Sequence, residues 1–373
     1  MKMQLPVTDA VGIEASGIEK FGFLIAGLIA LLGAAFAWHD AVLVLACVLA
    51  ASLLLARWSW RARVLAALLV ASGLFWSYSD AAGCSAFWRG AAFYAKLTGH
   101  LPFVPWPQVR SFALGACSES NQPHSEEASQ MRWQGERTFQ GRTCEQFQTP
   151  LGSFWVGAPG KNLMAGLLWE QIRQHVYDGG AASVQPGDIV FDCGAHVGVF
   201  TRYALRRGAA RVIAIEPDAV NIACLEANLA PEIAAGQVIV IEGGVWNSRT
   251  VLNLRENIEG NSAGMTFVGG SAHSPPPQSI TVMPLDEIVD ERHLSRVDFI
   301  KMDIEGSERF ALQGAAKTLR AFRPRLAISS YHLRGDEEEI LAIVTGAQPG
   351  YRVHAKDIEA EDRWVRTKVL FFD

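Results

Sequence analysis

The chain has 373 residues, enough for two domains of roughly 150 residues each and a sizeable buried core. Half of the residues are apolar and 19% are charged, against about 25% in an ordinary soluble chain, which excludes a disordered protein and points to lipid contact. The net charge is −5, and residues 151–373 hold 22 Lys/Arg against 28 Asp/Glu, so no nucleic-acid partner is expected.

Three apolar runs open the chain, at 21–37, 41–56 and 64–78, with no charge inside them. Each falls just short of the ~20 residues that cross a hydrocarbon core, and flanking Trp38, Trp58 and Trp60 extend the spans. Arg57, Arg61 and Arg63 mark the second loop as cytoplasmic. A weaker segment at 81–97, interrupted by Arg89, serves as a fourth crossing. The expectation is a helical membrane anchor of two to four spans over 1–97, in the plasma or inner membrane, with membrane lipid as a partner. Residues 98–150 contain Pro102, Pro105, Pro107 and polar runs, and read as a linker. The remainder, 151–373, is then a cytoplasmic domain. Six cysteines are scattered without a CxxC pair, so neither a metal ligand set nor a disulfide framework is legible.

From residue 151 the pattern alternates. A helical stretch at 162–177 precedes strands at 188–191, 211–215, 237–241, 297–301 and 325–329, with helices at 199–207, 219–229, 307–321 and from about 337. Segments 351–355 and 368–372 are spaced to pair as a hairpin. The fold class is α/β, a doubly wound, mostly parallel sheet whose ligands sit at the carboxyl ends of strands. Residues 257–278, with four glycines and three consecutive prolines, read as a long loop at the site or on the surface.

The first strand ends at Asp192 and turns into a helix through Gly194, His196 and Gly198, where glycine lets backbone N–H groups approach a ligand. The spacing D-x-G-x-x-x-G does not meet the dinucleotide fingerprint G-x-G-x-x-G. The second strand ends at Glu216-Pro217, about 20 residues past the glycine turn, where a carboxylate can hold ribose hydroxyls. The fourth delivers Asp303 and Glu305, two carboxylates on one face of an extended segment. Glu216 also suits a helix start and Glu305 a helix cap, so both readings stay open.

Together, Asp192–Gly198, Glu216-Pro217 and the K-x-D-x-E-G-x-E segment from Lys301 to Glu308 resemble the FkbM family of S-adenosylmethionine-dependent methyltransferases over roughly 188–372. His196 departs from the asparagine usual in these enzymes. The resemblance implies a class I methyltransferase (Rossmann-like) domain with S-adenosyl-L-methionine as cofactor. It places the methionine end at Asp192, Gly194 and Gly198, the ribose at Glu216, the adenine along Glu242-Gly243-Gly244, and the methyl side at Asp303. Glu305, Asp303 and His332, which follows the fifth strand, are candidate general bases; a near-neutral histidine suits a hydroxyl best, and a hydrogen-bonded structural histidine fits the same position. The expected activity is O-methylation of a small-molecule, sugar or glycan hydroxyl, and the anchor suggests a lipid-linked acceptor. A non-catalytic nucleotide-binding module is the alternative.

Overall fold

The computed structural model describes residues 92, 94–97, 99, 101–114, 125–256, 265–267, 278–361 and 364–373. The apolar runs at 21–37, 41–56 and 64–78 lie outside them. Among the described residues no helix is long and apolar enough to cross a membrane. The expectation of a multi-pass membrane protein is corrected accordingly. Residues 81–91 of the fourth crossing also lie outside the described residues; Ala92 and Ala95, near its end, are buried in one cluster with Leu101, Val104, Phe191 and Leu370. They pack on protein rather than lipid.

The segment 98–150 is not a bare linker. It holds helices α1 (Trp106–Leu114) and α2 (Ser125–Gln130), then strands β1 (Arg132–Phe139) and β2 (Arg142–Thr149). With β3 (Gly152–Gly157) these form an antiparallel meander, so a boundary at 150/151 falls in the turn between β2 and β3. Nearly all of β1 faces solvent, which leaves it without the apolar alternation that identifies a strand. The meander is fastened to the rest of the fold by a shared apolar cluster, by Arg202 Nη1 donating to Ser153 O (2.8 Å), and by one amide. Asn228 Oδ1 accepts from Trp155 N (2.6 Å) while its Nδ2 donates to Trp155 O (3.0 Å) and Val197 O (2.9 Å).

Helix α3 (Lys161–Leu168) continues as a π-helical turn, Trp169–Gln174, and stops at His175, whose φ of 49° is left-handed. It does not run to Tyr177 as expected. The strands that follow are β4 (Ile189–Cys193), β5 (Arg211–Glu216), β6 (Val238–Glu242), β7 (Gly244–Val245), β8 (Thr250–Glu256), β9 (Met265–Thr266), β10 (Gln278–Met283), β11 (Phe299–Met302), β12 (Arg325–Ser329), β13 (Val353–Glu361) and β14 (Trp364–Phe372). Seven of them make the main sheet, in the order β6-β5-β4-β11-β12-β14-β13. β4, β5, β6, β11 and β12 are mutually parallel, and β14 runs antiparallel to both of its neighbours. The predicted hairpin is present as β13 and β14, with Val353 opposite Phe372. A side sheet, β7-β10-β8-β9, follows β6, and β9 takes up part of the predicted 257–278 loop.

Strand alternation explains how the sheet is covered. Phe191, Ile213, Ile300 and Ile328 join one buried cluster, whereas their chain neighbours Val190, Val212, Phe299 and Ala327 join another. Both faces are therefore apolar, as a parallel sheet between helical layers requires. The layers are α4 (Val199–Arg206), α5 (Ala219–Asn228), α6 (Ala230–Ala234), α7 (Leu285–Glu291), α8 (Glu308–Gln313), α9 (Ala316–Phe322) and α10 (Asp336–Ala347). The helix predicted over 307–321 is divided into α8 and α9 around Gly314, where a Cβ would stand 2.1 Å from Trp246 O. The chain runs outward through β4, β5 and β6, then returns to place β11 on the other side of β4. That reversal opens a crevice at the carboxyl ends of β4 and β11.

Candidate active site

The crevice is an open cleft whose empty space, counted out into solvent, is about 920 Å³. Of the residues singled out from the sequence, Gly194, His196, Glu216, Gly243, Asp303 and Glu305 line it together. Asp192, Gly198 and His332 stand behind its walls.

At the end of β4, Gly194 adopts φ +78°, and a Cβ there would lie 2.0 Å from Asp303 O. Glycine is required by both the backbone conformation and the crossing strand. Gly198 starts α4 in a left-handed conformation, and a Cβ there would meet Leu229 Cδ1 at 2.8 Å, so its role is packing. Asp192 is fully buried. Its Oδ1 lies 3.1 Å from Lys301 Nζ, and its Oδ2 accepts from Thr201 Oγ1 at 2.6 Å. The expected contact between Asp192 and a ligand is thus replaced by support from below. Lys301, the register partner of Asp192 in β11, also donates to Gly194 O (2.7 Å) and Cys193 O (3.2 Å), holding the glycine turn to the sheet. Burial alone would lower the Lys301 pKa, but Asp192 and Asp303 outweigh it and push it up. Burial and the Lys301 charge push His196 down to about 4, leaving a neutral ring in the cleft wall.

Glu216 ends β5 with its carboxylate 4% exposed. Oε2 accepts from His196 N (2.9 Å), and Oε1 from Asp218 N and Asn221 Nδ2 (3.1 Å each). Burial pushes its pKa up to about 7, although those hydrogen bonds pull the other way. Helix capping at this point belongs instead to Asp218, which accepts from Val220 N and Asn221 N. Past β6, Gly243 and Gly244 line the cleft beside Val245 and Phe267. A Cβ on Gly243 would lie 2.7 Å from Thr281 O.

The opposite end of the cleft is acidic. Tyr177 donates its hydroxyl to Asp303 Oδ2 at 2.6 Å. Burial would raise the Asp303 pKa, but the His332 and Lys301 charges win and hold it below the ordinary value. His332 Nε2 lies 3.5 Å from Asp303 Oδ1 and 3.8 Å from Glu305 Oε1, and Nδ1 lies 3.0 Å from Glu308 Oε1. Burial favours the neutral ring, yet Glu308, Asp303 and Glu305 push its pKa up to about 10. The near-neutral base expected at His332 is corrected: at neutral pH this ring carries its proton. Tyr177, Lys301 and Glu308 were not assigned roles from the sequence. The latter two lie inside the Lys301–Glu308 segment, where a charge closing an apolar strand was the available signal.

The profile of the methyltransferase FkbM domain matches residues 192–353. The 31-O-demethyl-FK506 methyltransferase FkbM of Streptomyces tacrolimicus is 27% identical over 198 residues, covering 44% of this chain and 73% of that protein. Among solved structures, a methyltransferase FkbM from Methylobacillus flagellatus KT shares 27% identity with a TM-score of 0.38, over 50% of this chain and 44% of that one. An rRNA-methylase fold from Clostridium thermocellum gives 13% identity and a TM-score of 0.33, over 51% of this chain and 88% of that one. This chain therefore spans less than half of the Methylobacillus protein it matches. The Asp192 turn, Glu216 and the Lys301–Glu308 segment assemble around one cleft within residues 192–353, the stretch that matches the methyltransferase FkbM domain.

Proposed function

We propose that the protein is an S-adenosyl-L-methionine-dependent O-methyltransferase whose acceptor is a hydroxyl on a sugar, glycan or related small molecule. The observation that carries this reading is Glu216, a buried carboxylate facing the same cleft as the Gly194 turn. The fit is local: a close backbone approach that no side chain could share at Gly194, and a pinned carboxylate with lone pairs left for ribose hydroxyls. The backbone at Gly194 and His196 would hold the methionine end, and Gly243, Val245 and Phe267 the adenine. When bound, the cofactor supplies a methyl group on a positively charged sulfur. Asp303 and Glu305 give that end of the cleft the negative charge a sulfonium needs.

For the acceptor, the chain's own groups provide positioning and a place for a proton. Asp303, fixed by Tyr177 and faced by His332, and Glu305, on the loop beyond it, can each accept a hydrogen bond from a hydroxyl in the cleft. One of them takes the proton as the oxygen attacks, which requires near-attack distances of about 3–3.5 Å. The Streptomyces relative is named for methylating an oxygen, which supports a hydroxyl acceptor here. The acidic balance of residues 151–373 argues against RNA. The lipid-linked acceptor rested on the membrane anchor and is dropped with it.

The test is calorimetric titration of S-adenosylhomocysteine into the full chain and its Glu216→Ala variant, followed by transfer of labelled methyl to a panel of hydroxylated glycans. Micromolar binding, weakened at least ~10-fold in the variant by loss of charge-assisted hydrogen bonds, is expected. A folded chain that ignores S-adenosylhomocysteine refutes the proposal.

A further inference from the structure

One wall of the cleft is not made by the sheet. Leu167, Glu170 and Gln171 line it from α3 and the π-helical turn that continues it, spaced i, i+3 and i+4 on one helical face, and Tyr177 lines it just beyond. All four precede residue 192, where the match to the methyltransferase FkbM domain begins. A different stretch of chain therefore supplies this wall from the one that carries the glycine turn, Glu216 and Asp303. It stands at the acidic end. The Tyr177 hydroxyl bonds Asp303 Oδ2 at 2.6 Å, and burial, then the Asp303 and Glu170 charges, push its pKa well up.

The turn is held in place by the terminal hairpin. Lys368 on β14 sets Nζ 3.0 Å from Glu170 Oε1, which pairs the charge of that carboxylate. Lys356 on β13 donates from Nζ to Gln174 O and His175 O at 2.7 Å each, which closes the carboxyl end of the turn. Gln171 differs from these neighbours. It is only 4% exposed, it lines the cleft, and its side chain makes no hydrogen bond to any described residue. A carboxamide carries two N–H donors and a carbonyl acceptor, and a buried one is costly to leave unmet. Asn228, comparably buried, spends its amide on three main-chain groups; Gln171 has the cleft instead.

We propose that Gln171 selects the acceptor, its amide holding a second hydroxyl of a polyhydroxylated molecule beside the hydroxyl that Asp303 or Glu305 deprotonates. This rests on the methyltransferase reading of the cleft. A neutral group that both donates and accepts matches a hydroxyl, whereas a sulfonium, an ammonium or a carboxylate is better served by a charge. The acceptor class is then a vicinal diol, as on a sugar ring, because one hydroxyl reaches the carboxylates while its neighbour reaches the turn. A site built this way rejects an analogue that lacks the second hydroxyl, since the amide is again left unmet.

The experiment uses the full chain, wild type beside Gln171→Met, which keeps the length and packing of the side chain without its hydrogen bonds. Transfer of labelled methyl is measured on the glycan panel and on monodeoxy analogues of each member that accepts it. S-adenosylhomocysteine affinity is measured on the same samples. Removing one hydroxyl next to the methylated position should lower the wild-type kcat/KM at least tenfold. Gln171→Met should show a similar loss on the parent glycan, carried by KM, and no further loss on that deoxy analogue, with S-adenosylhomocysteine affinity unchanged. The wild-type comparison stands without the variant: if no neighbouring hydroxyl matters, the proposal falls. It also falls if Gln171→Met keeps the wild-type kcat/KM, or if its S-adenosylhomocysteine affinity drops tenfold, which would assign the amide to the cofactor; either result keeps the methyltransferase reading. A wild-type chain that binds no S-adenosylhomocysteine, or methylates no glycan, overturns the reading and the proposal together.

Discussion

Replacing Lys301 with Met removes the cation under the glycine turn while keeping the length of the stem. In the wild type, Nζ serves Asp192 Oδ1 at 3.1 Å, Gly194 O at 2.7 Å and Cys193 O at 3.2 Å, with the two charged side chains 4% and 0% exposed. After substitution Asp192 keeps only the Thr201 hydroxyl, and a buried carboxylate stands uncompensated. Breaking a buried pair in this way costs about 3–5 kcal/mol. That is a large share of the ~5–15 kcal/mol that holds a domain folded. At about 2–4 °C per kcal/mol for a domain of this size, the thermal midpoint should fall by roughly 10 °C. The double variant Asp192→Asn with Lys301→Met removes both charges of this pair and should recover about 2 kcal/mol relative to the sum of the singles. Calorimetric melting of the four proteins gives both numbers. A single variant within 1 kcal/mol of wild type, or a double variant that simply adds, would refute the idea of a coupled pair supporting the turn.

Glu216 makes S-adenosylhomocysteine binding depend on pH. Its carboxyl, ordinarily ionised above about 4.5, is pushed up to about 7, so below that value the protonated form greets the ribose with fewer acceptor sites. Affinity should rise by about tenfold per pH unit between 5.5 and 7 and flatten above 8; a level profile would remove Glu216 from the ribose site. The sign for stability is opposite: a raised carboxyl pKa stabilises the fold fully below about 4.5, and that contribution is lost as pH rises through 7. Gly194→Ala places a Cβ 2.0 Å from Asp303 O at φ +78°. Left-handed strain alone costs about 1–2 kcal/mol, and moving the Asp303 strand end should reduce S-adenosylhomocysteine affinity more than tenfold, measured by calorimetry. Wild-type affinity in that variant would show that the turn is not the cofactor cradle.

The sheet was legible because its parallel strands are short apolar runs, and β4, β5, β6 and β11 each stop at or beside a carboxylate. Glu216 and Asp303 were legible for the same reason: a carboxylate closing such a run sits at the active edge. What these residues do there was less legible. Asp192 and Lys301 face each other only because β4 and β11 pair in one register, a relation between segments about 110 residues apart. Tyr177 reaches Asp303 from 126 positions away, after a π-helical turn that no periodicity announces. The state of His332 depends on three carboxylates meeting in space, so an isolated histidine suggested neutrality where the assembled cluster holds a proton. The meander escaped notice because its exposed first strand is as polar as a loop.

The Asn228 amide has a consequence for assembly. Both main-chain groups of Trp155, at the middle of the outer strand β3, are engaged by one side-chain amide, which acts as a surrogate peptide unit in the position a further strand would occupy. An edge closed at its centre gives an incoming chain too few free groups to start a ladder. The β3 edge of the meander is thereby kept from pairing with an incoming strand, Asn228 closing it at Trp155 and Arg202 at Ser153, without a proline, a bulge or a charge in the strand itself.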